Sequence, residues 1–210
     1  IYVFPRERLR RYLFEYESDE TSSNDFGKNI IPKMLQNGEK MAAYRFSGYW
    51  KDVGTLDSLW DANMDMLATG SGLDLLEKDW PIYGRPSSAP PAYLGKNAHV
   101  EHSVVARGCT VEGEAENSVL SERCTLEEGA SVQYSLLMPG AVIRRGAQVS
   151  YAIIGENAVV EANARVGQPP EAVKPEDWGI TVLGPDAAVA ENYVLAAKRM
   201  RSADGKETVR

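Results

Sequence analysis

The segment Ser118-Val-Leu-Ser-Glu-Arg-Cys-Thr-Leu126 recurs as Ser135-Leu-Leu-Met-Pro-Gly-Ala-Val-Ile143 and again as Ala152-Ile-Ile-Gly-Glu-Asn-Ala-Val-Val160, so that the three copies begin at equal intervals along the chain. An earlier copy, Ser103–Val111, precedes them at a slightly shorter interval. Within a copy the aliphatic residues lie five or six positions apart, which is too long for one face of a helix. This spacing predicts a parallel β-helix whose triangular coils point one aliphatic side chain inward from each side.

The repeats align into three inward columns. Coils stack about 4.8 Å apart, so the four to five predicted coils give a prism roughly 20 Å long. A β-sandwich of short strands is the alternative, but its strands would not keep so constant an interval. The columns are Val105, Leu120, Leu137 and Ile154; Val111, Leu126, Ile143 and Val160; and Val132, Val149 and Val166.

Composition argues against two classes of partner. The net charge is −7 and there is no basic run, so we expect no nucleic-acid partner. No stretch approaches the roughly 18 apolar residues of a membrane span, and no signal peptide is visible.

Cys109 and Cys124 share one repeat position, so a disulfide is conceivable. The same column continues as Ala141 and Ala158, which favours small buried thiols, reduced as in a cytosolic protein.

Residues 1–67 alternate strand and helix patterns, which indicates the end of an α/β domain. Thr55 can cap the last of these helices, whose apolar face includes Trp60 and Met64. The predicted strands are Ile1–Phe4, Met41–Phe46 and Gly48–Val53, and the predicted helices start at Pro5, span Ile30–Leu35 and follow Thr55.

A Pro/Ser-rich linker is predicted at residues 68–92, and its Trp80 and Tyr83 indicate that it packs on another surface. The β-helix domain then occupies residues 93–210. A β-helix has open ends with exposed strand edges, which other elements have to cover. Outside the repeats we predict a strand at Ile180–Leu183, a final helix from Asp186, and coverings for the two ends at residues 73–91 and 178–201.

Two aspartates could carry chemistry. Asp52 ends a predicted strand two residues before Gly54, where its carboxylate could bind a hard cation or accept hydrogen bonds from the following loop. Asp25 could act in the same way or cap a helix, and Phe26 and Trp50 would ordinarily be core residues. The chain has no Gly-rich phosphate loop, so a catalytic site here would be partial. These residues alone leave the function open.

Three segments together resemble the bacterial glucose-1-phosphate adenylyltransferase (ADP-glucose pyrophosphorylase) family. They are Tyr49-Trp-Lys-Asp-Val-Gly-Thr-Leu-Asp-Ser-Leu-Trp-Asp-Ala-Asn-Met-Asp65, Ser22-Ser-Asn-Asp-Phe-Gly-Lys-Asn-Ile-Ile-Pro32 and Ile1-Tyr-Val-Phe4. The resemblance implies a left-handed β-helix after the catalytic domain. It also implies the formation of ADP-glucose and pyrophosphate from ATP and glucose 1-phosphate, with Mg²⁺, for glycogen synthesis in the cytoplasm.

The resemblance also assigns residues. Asp52 matches the family's magnesium-binding catalytic aspartate, and Tyr2, Asp25, Phe26 and Trp50 match residues around the glucose-1-phosphate site. The family's nucleotide loop, first metal aspartate and sugar-binding Glu-Lys motif would lie before residue 1. We therefore expect this C-terminal half to be inactive alone.

In the family the β-helix contributes to a tetramer, a homo-oligomer or one that includes a regulatory paralogue, and to allosteric control. Arg144 and Arg145 could belong to an anion-binding surface, or they could be solvated outward residues. A hexapeptide acyltransferase is a competing interpretation, but it needs a catalytic histidine, and we interpret His99 and His102 as surface residues. A non-catalytic regulatory subunit and another sugar-1-phosphate nucleotidyltransferase are the remaining alternatives.

Overall fold

In the computed structural model, residues 1–17, 22–68, 70, 72, 75, 77–84 and 86–210 are described. They divide into two units, Ile1–Ser47 and Gly48–Arg210. Within the described residues, no helix has both the length and the apolar character that crossing a membrane requires.

The first unit consists of two helices and a π-helical turn. Helix α1 (Arg6–Glu17) follows Pro5, as predicted. The π-helical turn Phe26–Ile30 leads into α2 (Ile31–Gln36), which confirms the second predicted helix. The side chains buried between these elements are Tyr12, Ile30 and Met34, with Phe4, Tyr16 and Phe26 packed against them.

The three strands predicted in residues 1–67 are wrong. Ile1–Phe4, Met41–Phe46 and Gly48–Val53 belong to no sheet in the described part of the chain. A β-strand is stabilised by hydrogen bonds to a neighbouring strand, and none of these segments has such a neighbour among the described residues.

Helix α3 (Leu56–Asp65) confirms the third predicted helix. Thr55 caps it: its side chain accepts a hydrogen bond from the Ser58 N–H, and the Ser58 hydroxyl accepts one from the Thr55 N–H. Such a capping box satisfies two donors that the first turn would otherwise leave unpaired. The predicted apolar face is confirmed, since it packs on the β-helix through Leu56, Leu59, Trp60, Met64 and Leu67.

The β-helix is confirmed, with six coils of three strands each. Coils one to three comprise β1 (Tyr93–Leu94), β2 (His99–Glu101), β3 (Val104–Val105), β4 (Thr110–Val111), β5 (Glu114–Glu116), β6 (Val119–Leu120), β7 (Thr125–Leu126), β8 (Ser131–Gln133) and β9 (Leu136–Leu137). Coils four to six comprise β10 (Val142–Ile143), β11 (Gln148–Ser150), β12 (Ala152–Ile154), β13 (Val159–Val160), β14 (Arg165–Val166), β15 (Thr181–Leu183), β16 (Ala188–Val189), β17 (Val194–Leu195) and β18 (Arg199–Arg201).

The first, second and third strands of the coils form three parallel sheets, which we call sheets A, B and C. Their registers confirm the predicted columns, because Ile154 pairs with Leu137, Ile143 with Val160, and Val149 with Val166. All three columns are buried in one continuous core from the second coil onwards.

The final helix predicted from Asp186 is wrong, and so is the count of four to five coils. Residues 188–201 form a sixth coil, in which Val189 pairs with Val160 and Leu195 with Val166. The period is hidden in the sequence because an insertion separates Ile154 from its register partner Leu183. The inserted residues form two short 3₁₀ turns, Pro170–Ala172 and Pro175–Asp177. The strand predicted at Ile180–Leu183 is confirmed as β15.

The end covering predicted at residues 178–201 is wrong, whereas the described residues of the one predicted at 73–91 contact the β-helix in part. Residues 178–201 build coils, and the C-terminal end of sheet C is covered instead by β19 (Glu207–Val209), which runs antiparallel to β18. In the linker, Trp80 and Tyr83 are 85% and 89% exposed, because no described apolar surface lies against them. Among the described linker residues Ala89 is buried, next to Pro90, whose carbonyl accepts a hydrogen bond from Gly108. Linker residues 69, 71, 73, 74, 76 and 85 lie outside the described residues.

Both cysteines are free and buried, which confirms their interpretation as small core residues. Cys109 and Cys124 belong to a column that continues as Ala141, Ala158 and Ala187. The hydrogen bond with Cys109 and burial raise the pKa of the Cys124 thiol, so this side chain stays protonated.

Candidate active-site segments

The segment Tyr49–Thr55 lies along α3. The Tyr49 hydroxyl donates a hydrogen bond of 3.0 Å to Asp65 Oδ2, and Lys51 Nζ donates one of 2.7 Å to the same atom. Tyr49 and Lys51 therefore face α3, whereas Trp50 and Asp52 are exposed.

Charge strengthens this attachment. The hydrogen bond from Lys51 lowers the pKa of Asp65, and the hydrogen bond to Asp65 raises the pKa of Lys51. Lys51 Nζ also lies 3.6 Å from a carboxylate oxygen of Asp61, one helical turn before Asp65. Burial, followed by the hydrogen bond to Asp65, raises the pKa of the Tyr49 hydroxyl. The segment is thus held by a charged pair and a neutral phenol at neutral pH.

The Asp52 carboxylate lies at the turn between this segment and α3. Its Oδ1 accepts a hydrogen bond of 3.2 Å from the Gly54 N–H, so one oxygen takes the loop-binding role considered from the sequence. Within the part of the chain that the structure describes, no group of three or more His, Cys, Asp or Glu side chains could hold a metal ion. Mg²⁺ often takes one or two protein carboxylates and completes its shell with water and substrate phosphates. An exposed single carboxylate fits that mode of binding.

A tryptophan would ordinarily be a core residue, but 63% of Trp50 is exposed. The alternation described above explains this, because Trp50 lies between two side chains that bind α3. An exposed indole next to an exposed carboxylate is a surface that can contact a ligand.

The first unit brings three of the predicted site residues together. The rings of Tyr2 and Phe26 stack with centroids 5.8 Å apart and an interplanar angle of 17°. Asp25 precedes Phe26, and its Oδ1 accepts a hydrogen bond of 2.8 Å from the Lys28 N–H. Asp25 therefore caps the π-helical turn, which is the second role considered from the sequence. Phe26 is partly buried as expected, whereas Tyr2 is 58% exposed.

Both histidines are exposed, as predicted. His99 Nε2 lies 3.5 Å from a carboxylate oxygen of Glu101, a neighbour that the sequence did not reveal. The His102 Nδ1 is hydrogen bonded to the side chain of Asn117 at 2.6 Å.

The two arginines considered for an anion site have carboxylate partners. Arg144 Nη1 lies 2.7 Å from Glu127, and Arg145 Nη1 lies 3.0 Å from Glu128. Each partner stands one repeat earlier, at the equivalent position of the preceding coil. The pairs could therefore have been found from the repeat itself. Outward, partly solvated ion pairs account for both residues.

Sequence reasoning missed the residues that attach other parts to α3. Besides Lys51 and Asp65, Arg210 donates hydrogen bonds to the Ile180 carbonyl at 2.8 Å and to Asp57 at 2.9 Å. The spacing of Asp61 and Asp65, four positions apart on one helix face, was the available signal for a cation partner. No sequence signal pointed to Arg210.

Comparison with known proteins gives matches in both parts of the chain. Residues 1–69 match the model of the nucleotidyl transferase family. Residues 90–182 match the model described as GlmU-like, C-terminal hexapeptide. These matches agree with a partial nucleotidyl transferase domain followed by a hexapeptide-repeat β-helix.

Three similar proteins share one name. The glucose-1-phosphate adenylyltransferase of Clostridium beijerinckii is 50% identical over 136 residues, which cover 65% of this chain and 35% of the relative. The enzyme of that name from Clostridium perfringens strain 13 is 48% identical over 139 residues, covering 66% and 35%. That from Bacillus cereus strain Q1 is 47% identical over 141 residues, covering 67% and 38%. The chain thus spans little more than a third of the curated relatives it matches. The resemblance predicted from the sequence is confirmed: this chain is homologous to the glucose-1-phosphate adenylyltransferases.

Proposed function

We propose that this chain is part of a cytoplasmic glucose-1-phosphate adenylyltransferase, which forms ADP-glucose and pyrophosphate from ATP and glucose 1-phosphate for glycogen synthesis. The observation that carries the proposal is the Trp50–Thr55 segment in a chain up to 50% identical to enzymes of that name. That segment presents an exposed carboxylate and an exposed indole from a firmly attached turn.

Asp52 is the proposed magnesium ligand. Mg²⁺ bound there would neutralise charge on the nucleotide phosphates. The protein's own part is to hold the Asp52 carboxylate still, with Oδ1 fixed by the Gly54 N–H. In phosphoryl and nucleotidyl transfer, alignment and charge stabilisation supply most of the rate, so a fixed carboxylate is an appropriate contribution.

Tyr2, Asp25, Phe26 and Trp50 are the proposed glucose-1-phosphate contacts. The stacked rings of Tyr2 and Phe26 offer an aromatic surface, and Asp25 holds the turn that carries Phe26. The nucleotide-binding loop would come from sequence outside these 210 residues, since the chain covers 35% of its relative from Clostridium beijerinckii.

The proposed organisation follows the same family. Residues 1–67 would complete the catalytic domain, 68–92 would link the domains, and 93–210 would form a left-handed β-helix. That β-helix would take part in a tetramer, alone or with a regulatory paralogue, and in allosteric control by metabolites.

The test compares the isolated chain with a full-length enzyme that contains it. ADP-glucose formation is measured with ATP, glucose 1-phosphate and Mg²⁺. We expect activity from the full-length enzyme and none from residues 1–210. Asp52→Asn should lower kcat about a hundredfold or more, because metal-assisted charge stabilisation contributes several kcal/mol. Asp79→Asn, at an exposed linker carboxylate, is the matched control and should have no effect.

Three outcomes would contradict the proposal. Activity from residues 1–210 alone would show that no outside nucleotide loop is needed. Normal activity of Asp52→Asn would remove the metal role. A full-length protein that is inactive but alters the activity of a second subunit would identify a regulatory subunit instead.

A further inference from the structure

Lys51 and Asp65 lie outside the residues assigned to the substrate site, and their contact of 2.7 Å is made directly next to Asp52 in the chain. We propose that this pair acts as a positioning device, which holds the 49–55 segment against α3 so that the Asp52 carboxylate keeps one orientation. The inference rests on the proposed function, because it gives a purpose to the orientation of the proposed magnesium ligand.

The first argument is that Asp52 is enclosed between two anchors. On one side Lys51 is tied to Asp65 at 2.7 Å. On the other side Thr55 is tied to Ser58 by the capping box. Only residues 52–54 lie between the anchors, and a fully extended residue spans at most about 3.6 Å. The carboxylate therefore has little room to move while both anchors hold.

The second argument is that both anchors lie on the same helix. Ser58 is in the first turn of α3 and Asp65 is its last residue, so the helix itself sets the distance between them. Removing the Lys51 side chain takes away the anchor next to Asp52 and leaves only the more distant Tyr49 hydrogen bond to Asp65, whereas the helix and its cap remain. The proposed role is thus separable from folding.

The third argument concerns what holds α3. The helix packs on the outer face of sheet C, and the Trp60 Nε1 donates a hydrogen bond of 2.8 Å to the Tyr134 carbonyl. Arg210 holds its first turn through Asp57. The orientation of Asp52 is therefore set relative to the β-helix, whose three parallel sheets run through all six coils.

The direct test uses the chain of residues 1–210 and NMR relaxation of the backbone N–H groups of Asp52, Val53 and Gly54. In the wild type we expect order parameters of about 0.85, and in Lys51→Met values below about 0.6. Lys51→Arg keeps a charged donor and should retain the order. Glu127→Gln is the matched control, because it breaks another ion pair of 2.7 Å on the β-helix surface.

The functional test uses the full-length enzyme. Lys51→Met and Asp65→Asn should each lower kcat about tenfold and raise the Mg²⁺ concentration for half-maximal rate about tenfold, as for residues that orient a metal ligand. Lys51→Arg should restore most of the loss, and Glu127→Gln should match the wild type. A purely structural role would lower stability without changing the Mg²⁺ dependence.

The outcomes separate the inference from the proposed function. Unchanged order at residues 52–54 in Lys51→Met overturns the inference. So does an active enzyme in which Lys51→Met and Asp65→Asn behave like Glu127→Gln. Loss of activity in Asp52→Asn together with normal Mg²⁺ dependence in the Lys51 and Asp65 variants would leave the proposed function standing and reject the positioning role. An inactive wild-type enzyme would reject the proposed function instead.

Discussion

Sheets A and C of the β-helix both point aliphatic side chains inward, but the side chains on their outer faces differ in burial. In coils two to five the outward residues of sheet C are apolar and buried, namely Val119, Leu136, Ile153 and Val182. In the same coils those of sheet A are half-exposed, namely Thr110, Thr125, Val142 and Val159. Near them, Glu127 and Arg144 form an ion pair in contact with solvent.

This difference shows that the inward and outward residues of a strand have separate roles. The inward residue of every strand maintains the coil, and the outward residue decides what the face can bind. A strand that is apolar on both sides is buried on both sides, as in other covered parallel sheets. On sheet C the covering element is α3, which carries the candidate catalytic segment.

The sharpest test replaces matched outward residues on the two sheets. Ile153→Ala should lower the free energy of unfolding by about 3 kcal/mol, because it removes buried methyl groups beneath α3. Val142→Ala, on the solvated face, should cost about 1 kcal/mol or less. Urea denaturation followed by circular dichroism measures both. Equal losses would mean that α3 does not protect sheet C.

A second prediction concerns the contact between α3 and sheet C. Trp60→Phe removes the hydrogen bond to the Tyr134 carbonyl and part of the ring contact with Tyr151. Local opening of α3, measured by amide hydrogen exchange, should become about 1 to 2 kcal/mol easier. Trp80→Phe is the control, since the exposed Trp80 should leave exchange in α3 unchanged. An equal effect of the two substitutions would contradict the comparison.

Arg210 tests whether the C-terminal residue helps to keep α3 on its face. Arg210→Ala removes hydrogen bonds to Ile180 and Asp57, so α3 should open about 1 kcal/mol more easily. Arg165→Ala, at an exposed outward position of sheet B, should change exchange in α3 by less than about 0.5 kcal/mol. Exchange that is unaffected in Arg210→Ala would assign the attachment to apolar packing alone.

The smallest effect is expected from the charged face. The hydrogen bond from Arg144 lowers the pKa of Glu127 below its ordinary value of 4.5. A lowered folded-state pKa stabilises the fold above the unfolded pKa, and this gain is lost as pH falls through the folded pKa. Because the pair is partly solvated, the gain is about 0.5 kcal/mol. The stability difference between wild type and Glu127→Gln should therefore stay constant at neutral pH and shrink as the pH falls below about 4.5. A difference that grows on acidification would contradict this.

The sequence predicted the parts of the fold that depend on local repetition. The columns through Leu137, Ile143 and Val149 were visible because each inward residue recurs at a constant interval. The sixth coil was missed because Val189, Tyr193, Ala197 and Met200 also fit a helical period, and the insertion before Thr181 interrupts the repeat. The strands predicted in residues 1–67 depended on partners that no local pattern specifies.

The candidate site also combines local features, which the sequence indicates, with a tertiary contact, which it does not. The Thr55 cap is local and is predicted from neighbouring residues, and the hydrogen bond that Asp52 accepts from the following loop is one of the two roles that its local sequence allows. The Lys51–Asp65 pair joins residues 14 positions apart, and it depends on how the segment folds back along α3. Pairing of that kind is a tertiary property, which the sequence pattern suggests only in retrospect.

The reversed strand β19 has a consequence for self-association. Parallel solenoids can in principle grow into fibres, because each open end is a template for the next coil. On sheet C the strand next to β18 is the antiparallel β19, and its hydrogen-bonding pattern differs from the one that a parallel coil of another molecule would need. By turning back after β18, the chain occupies with β19 the edge that a parallel coil of a second molecule would need in order to extend sheet C in register.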